Sequence, residues 1–423
     1  MTVPRLLVLS NGHGEDLIAL SVLNALRELR PELQVSVLPL VGLGGAYAAA
    51  EAAGWLRRVG RRQPMPSGGF SNQSLGGLLR DLAAGLPLLT AQQLRLVRRW
   101  GRDADPVLAV GDLLPLLLAW ASGSPFGFIG TPKSDFTWCS PAPASWGSSS
   151  FADAYHRCKG SEWDPWEWAL MGSRRCRLLA LRDRLTARGL RRRGLRALAP
   201  GNPMMDGLEA SPLPEPLRGR RRLLLLPGSR LPEALSNLRR LLAALPANLP
   251  SGSPAWSLLL ATGSRPDIQE LAPALEASGF LPAPAAIALG AVATWRRGDL
   301  ELQLGPGRFA GWAGWAELGL ATAGTATEQL VGLGVPALSL PGAGPQFKPG
   351  FARRQSRLLG GSVQPCHSPA ELGRRLEELL ADGQECERLG RRGRRRMGPS
   401  GGSLRLAALI SSQLLADPPS TIP

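Results

Sequence analysis

The sequence predicts an α/β protein built from two Rossmann-like lobes, each a doubly wound parallel sheet. Strand-like and helix-like segments alternate through the first half of the chain and again through the second. A Pro-rich stretch, Pro212–Gly219, separates the two series and is interpreted as a linker. The 423 residues are too many for one ordinary core, and a hydrophobic fraction of 44% is enough for two.

We therefore expect an N-terminal lobe over residues 1–210 and a C-terminal lobe over residues 220–398. The last apolar helix, Ser403–Leu415, follows a Gly-rich break and is expected to pack back on the N-terminal lobe. Two such lobes are expected to face each other across a cleft. Because parallel sheets bind ligands at the carboxyl ends of their strands, we look for site residues where strands end.

The elements of the N-terminal lobe are predicted from buried apolar runs and from apolar residues at helical spacing. The predicted strands are Arg5–Ser10, Leu33–Leu38, Pro106–Val110, Phe126–Ile129 and Cys176–Leu181. The predicted helices are Gly14–Leu29, Gly45–Ala53, Leu75–Trp100, Leu113–Ala121 and Leu185–Arg193. Residues 131–172 interrupt this alternation with tryptophans among Ser, Pro and Gly, which predicts a long functional loop rather than core.

The C-terminal lobe repeats the alternation after the linker. Its predicted strands are Leu223–Leu226, Trp256–Ala261, Leu318–Ala321, Pro336–Leu340 and Ser362–Gln364. Its predicted helices are Pro232–Leu245, Pro266–Ser278, Thr325–Gly332, Phe347–Leu359, and residues 368–381 and 383–396.

The formal net charge of +16 comes almost wholly from arginine, since lysine occurs only at positions 133, 159 and 348. A composition rich in Ala, Gly, Pro, Leu and Arg can reflect coding bias alone. The charge is therefore weak evidence for phosphate or anionic lipid partners. The sequence has no zinc-finger, RNP or basic-zipper pattern, and nucleic acid is not expected as a partner.

The five cysteines are far apart and form no CxxC pair, which favours a reduced, cytoplasmic protein. The N-terminus has no signal-peptide pattern. The sequence also has no uninterrupted apolar run long enough for a transmembrane helix.

The first candidate motif is the heptapeptide SNGHGED, which ends the first predicted strand and opens a helix. Gly12 and Gly14 allow a tight turn and a close approach of substrate to the backbone. His13 is a candidate general base, because an imidazole can exchange a proton near neutral pH. Glu15 and Asp16 complete this predicted acceptor loop. Alternatively, the two acids only complement the helix dipole.

Asp112 follows the strand Pro106–Val110 and is the second candidate. Its carboxylate is suited to take a proton from an acceptor hydroxyl or to orient His13, although an N-cap of the next helix explains it equally well. The nearby Asp103 and Asp105 form a DxD pattern, which we interpret as a solvated turn. No metal site is predicted.

The turn Pro227–Arg230 joins a predicted strand to a helix in the C-terminal lobe. Gly228 and Ser229 offer backbone N–H groups near a helix N-terminus, and Arg230 offers a bidentate clamp for a diphosphate. Ser229 as a helix cap is the structural alternative.

A second turn of this kind begins at Gly324. Gly324 leaves room for a phosphate, and Thr325 and Thr327 offer hydroxyl groups. Glu328 is placed to accept hydrogen bonds from both ribose hydroxyls. A capped helix with a favourable Glu is the alternative. The loop Pro341–Phe347 ends the next strand and is predicted either to line a sugar pocket or to be a plain turn.

The helix Leu75–Trp100 combines leucines with arginines. Together with the tryptophan-rich residues 131–172, it is predicted either to rest on an anionic membrane surface or to pack as an ordinary amphipathic helix.

Three segments resemble, in their order and spacing, segments of lipid-A-disaccharide synthase and of the bacterial lipid-A-disaccharide synthase-related proteins. These are GNPMMD at 201–206, LLPGSRLPE at 225–233 and AGTATEQLVGLGVP at 323–336. The resemblance covers roughly residues 175–400. It implies the GT-B architecture and an inverting, metal-independent glycosyltransferase that needs no cofactor beyond its UDP-sugar substrate.

The resemblance further implies transfer of an N-acetylglucosamine-type, acylated sugar from a UDP-sugar to a lipid or lipid-linked acceptor at the inner face of the cytoplasmic membrane. Carried over by motif, the resemblance implies that Ser229 and Arg230 lie near the diphosphate. It also implies that Thr325 and Glu328 hold the nucleotide and ribose, and that Asp112 matches the carboxylate proposed as base. The first loop differs from the Gly-Glu-x-x-Gly-Asp pattern of that family, so the resemblance does not identify the acceptor.

Two alternatives are a UDP-sugar 2-epimerase-like enzyme and a non-catalytic nucleotide-sugar-binding protein at the membrane. An epimerase needs several acid/base groups, and the presence of only three histidines disfavours it.

Overall fold

The computed structural model describes residues 3–61, 86–147, 150–208, 211–263, 265–342 and 347–416. The chain forms two compact units, each assembled from separate stretches of sequence. The first unit takes residues 1–135, 154–206 and 400–423, and the second takes 136–153 and 207–399.

In its described part, the first unit contains a seven-stranded sheet of parallel strands in the order β3-β2-β1-β4-β5-β6-β7. The strands are β1 Arg5–Ser10, β2 Gln34–Pro39, β3 Leu56–Arg58, β4 Val107–Gly111, β5 Phe126–Gly130, β6 Cys176–Leu181 and β7 Ala197–Leu198. The helices are α1 His13–Leu29, α2 Ala48–Ala52, α3 Leu86–Trp100, α4 Leu113–Ala121, α5 Phe136–Cys139, α6 Ser150–Lys159, α7 Pro165–Met171 and α8 Arg184–Arg191, of which α5 and the start of α6 belong to the second unit.

Both faces of this sheet are buried. Along β1, Leu6 and Val8 join one apolar cluster, and Leu7 and Leu9 join another on the opposite face. Successive strand residues point to opposite faces, so a continuous apolar run needs helices on both sides. The predicted doubly wound sheet of this unit is present.

The second unit contains, among its described residues, an eight-stranded sheet in the order β10-β11-β12-β9-β8-β13-β14-β15. Its strands are β8 Arg221–Leu226, β9 Trp256–Leu260, β10 Leu281–Ala283, β11 Ala293–Arg297, β12 Leu300–Leu304, β13 Leu318–Ala321, β14 Ala337–Ser339 and β15 Val363–Pro365. Its further helices are α9 Glu233–Leu242, α10 Ile268–Glu276, α11 Phe309–Ala313, α12 Thr325–Gly332, α13 Pro349–Leu358, α14 Pro369–Ala381 and α15 Gly383–Met397.

Three strands at one edge of the second sheet were not predicted. β11 runs antiparallel to both β10 and β12, whereas β12 pairs with β9 in parallel. β10 is short and largely exposed, with Leu281 68% accessible. A short edge strand lacks the continuous apolar run by which the central strands are predicted.

The last helix, α16 Gly402–Leu409, belongs to the first unit. Leu406 and Ile410 pack in one apolar cluster with Leu6 and Val22. The carboxylate of Asp206 accepts hydrogen bonds from the three amides that begin this helix, those of Gly401, Gly402 and Ser403, at 2.5, 3.1 and 2.7 Å. The segment GNPMMD thus has a structural role, because it ends in the residue that caps α16.

The expectation that residues 131–172 form a loop outside the core is wrong. They contain α5, α6 and α7, and Trp163 is fully buried with its ring edge-on to Phe128 at 5.5 Å between centroids. A buried tryptophan contributes more apolar area than other side chains, which is why this Ser- and Pro-rich stretch nevertheless adds to the core.

The segment Phe136–Asp153, here called the crossover segment, packs within the second unit. Arg357 of α13 is 6% exposed and binds both carboxylate oxygens of Asp153 at 2.8 and 2.9 Å. The same guanidinium donates to the carbonyls of Ser140 and Trp138 at 2.9 and 2.7 Å. One buried arginine therefore ties both ends of the crossover segment to α13.

The predicted helix Leu75–Trp100 is described from Leu86 onward, and its residues 75–85 lie outside the described residues. Over the described ranges, none of the helices has the length and apolar character needed to cross a bilayer.

Candidate functional site

The two turns predicted for phosphate binding are neighbours in the second unit. β8 and β13 pair in parallel, with Leu226 opposite Ala321. The amide of Thr322 donates to the carbonyl of Leu226 at 2.9 Å, which joins the two strand ends. Because each strand is followed by a helix, the N-termini of α9 and α12 open at the same edge of the sheet.

The first turn requires glycine at position 228. Gly228 has φ +93°, a backbone conformation that residues with a side chain rarely adopt. Ser229 and Arg230 are exposed. The helix α9 begins only at Glu233, after the N-cap Pro232, and has no side-chain cap. Ser229 therefore does not cap α9, and the structural alternative for this serine is wrong.

In the second turn, Gly324 is the N-cap of α12, again without a side-chain cap. Thr325 is exposed at the first position of the helix, and Glu328 is half-buried in its first turn. Thr327 differs from the prediction, because it is fully buried and its hydroxyl donates to the carbonyl of Ala323 at 2.7 Å. We assign Thr327 a structural role and omit it from the candidate site.

Two buried amides hold these turns, and sequence reasoning missed both. Asn237 of α9 donates to the carbonyl of Pro227 at 3.1 Å, and Gln355 of α13 donates to the carbonyl of Gly324 at 3.1 Å. They are 5% and 2% exposed. In a trans peptide the N–H points opposite to the C=O, so each amide turns the next N–H away from itself. Their only sequence signal is an uncharged polar residue within a predicted helix.

The third turn, after β14, is described only in part, because residues 343–346 lie outside the described residues. The amide of Gly342 donates to the carbonyl of Phe347 at 2.7 Å. The side-chain oxygen of Asn237 would lie 2.9 Å from a Cβ at Gly342. Asn237 therefore lies between the first and third turns of the sheet edge.

In the first unit, the loops after β1 and β4 are joined by side chains. Asn11 donates to Oδ1 of Asp112 at 2.7 Å. Gly12 and Gly111 have φ +114° and +133°, so both loops use conformations that favour glycine. His13 is exposed at the first position of α1. The loops that carry the two candidate bases therefore lie side by side.

Asp112 caps α4 as well, since its Oδ1 accepts from the amide of Leu114 at 3.2 Å. Burial raises the pKa of Asp112, while the hydrogen bond from Leu114, the charge of Lys133 and the hydrogen bond from Asn11 act to lower it. Asp112 therefore does act as the N-cap of α4, the structural alternative for this carboxylate. A cap that uses one oxygen is compatible with proton transfer at the other.

Within the predicted acceptor loop, Gly14 and Glu15 lie in the first turn of α1 and are half-buried. Asp16 is 2% exposed and accepts a hydrogen bond from the hydroxyl of Ser10 at 2.5 Å. The hydroxyl of buried Tyr47 donates to Ser10 at 2.9 Å. Asp16 therefore points into the core, and its predicted place in the acceptor loop is corrected to a structural one.

The burial of Asp16 predicts an unusual dependence of stability on pH. Desolvation raises its pKa from 3.8 to about 6, so the folded protein keeps this proton to a higher pH than the unfolded chain does. The free energy of unfolding should then fall as pH rises from about 4 to about 6, by about 3 kcal/mol from this group. Asp16→Asn should abolish this component when urea denaturation is compared between pH 4 and pH 7.

The control for the Asp16 experiment is Glu28→Gln, on an exposed position of the same helix. If Asp16→Asn and wild type lose the same stability over this pH range, Asp16 is not the group responsible.

Two further charged clusters lie in the described part of the first unit. Arg5 pairs with both carboxylates of the DxD pattern, those of Asp103 and Asp105, at 3.2 and 2.9 Å. Lys133 binds both oxygens of Glu167 at 2.7 and 2.6 Å, an ion pair that sequence reasoning missed. Among the described residues, no three His, Cys, Asp or Glu side chains converge as metal ligands do.

No family model matches the chain, and no curated protein matches it. Its fold is nevertheless shared with solved structures of low sequence identity. The calicheamicin glycosyltransferase CalG4 matches with a TM-score of 0.55 and 16% identity, over 97% of this chain and 99% of that chain. MurG of Acinetobacter baumannii matches with a TM-score of 0.51 and 14% identity, over 96% and 99%.

A third similar structure is the UDP-GlcNAc 2-epimerase of Neisseria meningitidis, solved with UDP-GlcNAc bound. It matches with a TM-score of 0.52 and 14% identity, over 96% of this chain and 99% of that chain. These likenesses show a fold of two parallel-sheet α/β domains of the GT-B glycosyltransferase type. The predicted α/β fold class is confirmed.

Proposed function

We propose that the protein is an inverting glycosyltransferase that moves an N-acetylglucosamine-type sugar from a UDP-sugar to a lipid or lipid-linked acceptor. The observation that carries the proposal is the pair of adjacent turns after β8 and β13. Two helix N-termini at one sheet edge, with Arg230 in one turn, are suited to a diphosphate. Asn237 and Gln355 support this proposal, because each donates a hydrogen bond to a carbonyl of one turn and so fixes the conformation of that turn.

The donor site proposed in the second unit consists of Gly228, Ser229, Arg230, Gly324, Thr325 and Glu328. Arg230 and the helix N-termini stabilise the negative charge of the departing UDP, so no metal ion is required for this charge. Glu328, in the first turn of α12, accepts from the ribose hydroxyls.

In the proposed reaction an acceptor hydroxyl oxygen attacks the anomeric carbon of the donor sugar. The new C–O bond forms as the bond to UDP breaks, and its electron pair leaves on the diphosphate. The acceptor proton passes to Asp112, which we favour over His13 because Asn11 and the α4 amide hold Asp112 in place.

The proposed lipid character of the acceptor is supported by apolar and basic side chains that are exposed on α3 and on α4. Leu88, Leu117 and Trp120 are 57%, 42% and 41% exposed. Arg95 and Arg99 are exposed on α3, seven and eleven residues after Leu88 and therefore on its side of the helix. Exposed leucine and tryptophan beside arginine suit an anionic membrane surface, so we propose peripheral binding at the inner face of the cytoplasmic membrane.

Calorimetric titration with UDP and UDP-GlcNAc tests the donor site. Arg230→Ala is expected to weaken UDP binding roughly 10- to 100-fold, because hydrogen bonds to a charged group contribute about 1.5–3 kcal/mol. Arg296→Ala is the matched control, since Arg296 is an exposed arginine of β11 that pairs with Glu301 at 3.1 Å. Equal affinity of Arg230→Ala and wild type would remove Arg230 from the donor site.

The acceptor is best identified by lipid profiling of a strain that lacks the gene. A glycolipid that disappears, and returns with the wild-type gene but not with Arg230→Ala, names the product. UDP binding without turnover on any lipid acceptor would instead favour a non-catalytic binding protein.

A UDP-sugar 2-epimerase is the second candidate, because the similar structures include an epimerase solved with UDP-GlcNAc. Inversion at C2 breaks and remakes a C–H bond, whereas transfer leaves C2 untouched. Incubation with UDP-GlcNAc in D₂O without an acceptor separates the two reactions. Deuterium at C2 would support the epimerase and overturn the transferase.

A further inference from the structure

The lysines of this chain are distributed unevenly. Of 49 cationic residues only three are lysines, yet two of them, Lys133 and Lys159, contact the same carboxylate of Asp164. Arginine and lysine are not interchangeable, since the ammonium is a compact point charge and the guanidinium a planar fork. Two of the three lysines therefore lie at one carboxylate, in a chain that otherwise uses arginine.

Lys133 is held in a fixed place by a buried partner. Its Nζ contacts both oxygens of Glu167 at 2.6 and 2.7 Å and lies 3.7 Å from Asp164. Glu167 is fully buried and also accepts from the amide of Asp164 at 2.8 Å, in the capping box of α7. The Trp163 ring lies beneath the ammonium, 5.0 Å from its centroid. These contacts keep the charge of Lys133 at one position.

The chain near Lys133 lies beside the chain near Asp112. Gly130 and Gly111 are paired at the ends of β5 and β4, and the amide of Thr131 donates to the carbonyl of Gly111 at 3.3 Å. Lys133 follows this contact by two residues, and Asp112 follows Gly111 directly.

In the described part of the chain, charged and titratable groups of three neighbouring elements lie near this strand end. After β6, the guanidinium of Arg182 donates to the carbonyl of Thr131 at 3.2 Å. On α1, the Cγ of Glu15 would lie 3.4 Å from a Cβ at Gly111, and His13 begins the helix. On the other side is Lys133, backed by Glu167. Burial raises the pKa of Asp112, and Lys133 is the charged side chain that acts to lower it.

We propose that Lys133 is a positioning residue that keeps Asp112 in its carboxylate form at the end of β4. The carboxylate is thereby ready to take a proton from an acceptor hydroxyl. The catalytic meaning of this inference rests on the proposed function, whereas the charge coupling between Lys133 and Asp112 does not. Glu167 holds the ammonium of Lys133 in place, and the ammonium in turn balances the negative charge of Glu167.

The coupling can be measured without a substrate. The stability difference between Asp112→Asn and its parent, followed by urea denaturation across pH, reports the titration midpoint of Asp112 in the folded state. This difference is measured in wild type and in Lys133→Met/Glu167→Gln, a background that leaves no buried charge unpaired. We expect the midpoint to move up by about one pH unit, because a neighbouring opposite charge lowers a carboxyl pKa by about 1–3 units.

Two further backgrounds sharpen the experiment. Lys159→Met removes the other lysine at Asp164 and should leave the midpoint of Asp112 in place. Lys133→Arg retains the charge and should keep the midpoint close to that of wild type. An unchanged midpoint in Lys133→Met/Glu167→Gln, or an equal shift in Lys159→Met, overturns the inference.

The catalytic meaning has its own readout. If the protein transfers sugar, the acidic limb of its pH–rate profile should move with the stability midpoint in Lys133→Met/Glu167→Gln. If the titration midpoint of Asp112 moves but the acidic limb of the pH–rate profile does not, Lys133 does not keep the base ionised for catalysis. A protein without any transfer activity contradicts the proposed function, and the midpoint alone then decides the charge coupling.

Discussion

Asp112→Asn is expected to slow sugar transfer by about 10²- to 10⁴-fold, the usual contribution of a general base. Asparagine has an oxygen that can still accept from Asn11 and from the amide of Leu114, so the cap of α4 is retained. What is lost is the basic oxygen that takes the proton in the proposed reaction. The measurement is UDP release from UDP-GlcNAc in the presence of lipid acceptor, with UDP affinity measured in parallel and expected to be unchanged.

Asp103→Asn is the matched control for this experiment, because Asp103 is 62% exposed and pairs with Arg5 at the opposite end of β4. It should transfer sugar at the wild-type rate. If Asp112→Asn is as active as wild type, Asp112 is only the cap of its helix, and His13 becomes the next base to test.

Arg357→Met is expected to lower the free energy of unfolding by about 3–5 kcal/mol, the cost of breaking a buried ion pair. Arg357 and Asp153 have side chains only 6% and 11% exposed, and removal of the arginine leaves the carboxylate buried without its cation. The carbonyls of Ser140 and Trp138 lose their donor as well. Urea denaturation of the purified protein measures this loss.

Two variants show whether the loss comes from the unpaired charge. Arg374→Met removes an exposed arginine that pairs with Glu378 on α14, and should change stability by less than about 1 kcal/mol. Asp153→Asn/Arg357→Met should be more stable than Arg357→Met alone, because no charge is then left unpaired. A loss below about 1 kcal/mol for Arg357→Met would contradict a structural role of the pair.

The central parallel strands were predictable because they are buried on both faces. β1, β6 and β13 have the predicted bounds, and so do the helices α4 and α12. The apolar run of each strand stops at a polar residue, since Ser10 ends β1, Arg182 follows β6 and Thr322 follows β13, so the pattern and the boundary agree.

The hairpin of β11 and β12 was missed although the sequence contained a signal for it. Gly298, with φ +56°, and Asp299 separate two runs that pair from Arg297 with Leu300 onward. A Gly-Asp pair between strand-like runs is typical of a tight hairpin. Two antiparallel strands joined by a tight turn lie outside the strand–helix alternation from which the parallel strands are predicted.

At the candidate site, sequence reasoning found the turns but not the side chains that support them. Gly228 and Arg230 stand out because turns after strands are defined by local sequence. Asn237, Gln355 and Lys133 contact groups that are 10, 31 and 34 residues away in sequence. Contacts of this kind depend on how the chain packs, and no local pattern predicts them.

The backbone passes between the two units at residues 135/136, 153/154, 206/207 and 399/400. Neither unit is therefore a continuous gene fragment. A chimera that joins two homologues at the linker near residue 212 would pair Arg357 of one parent with Asp153 of the other, and would cap α16 of one parent with Asp206 of the other. A chimera that exchanges whole units would have to transfer the crossover segment with the second unit and the final helix with the first.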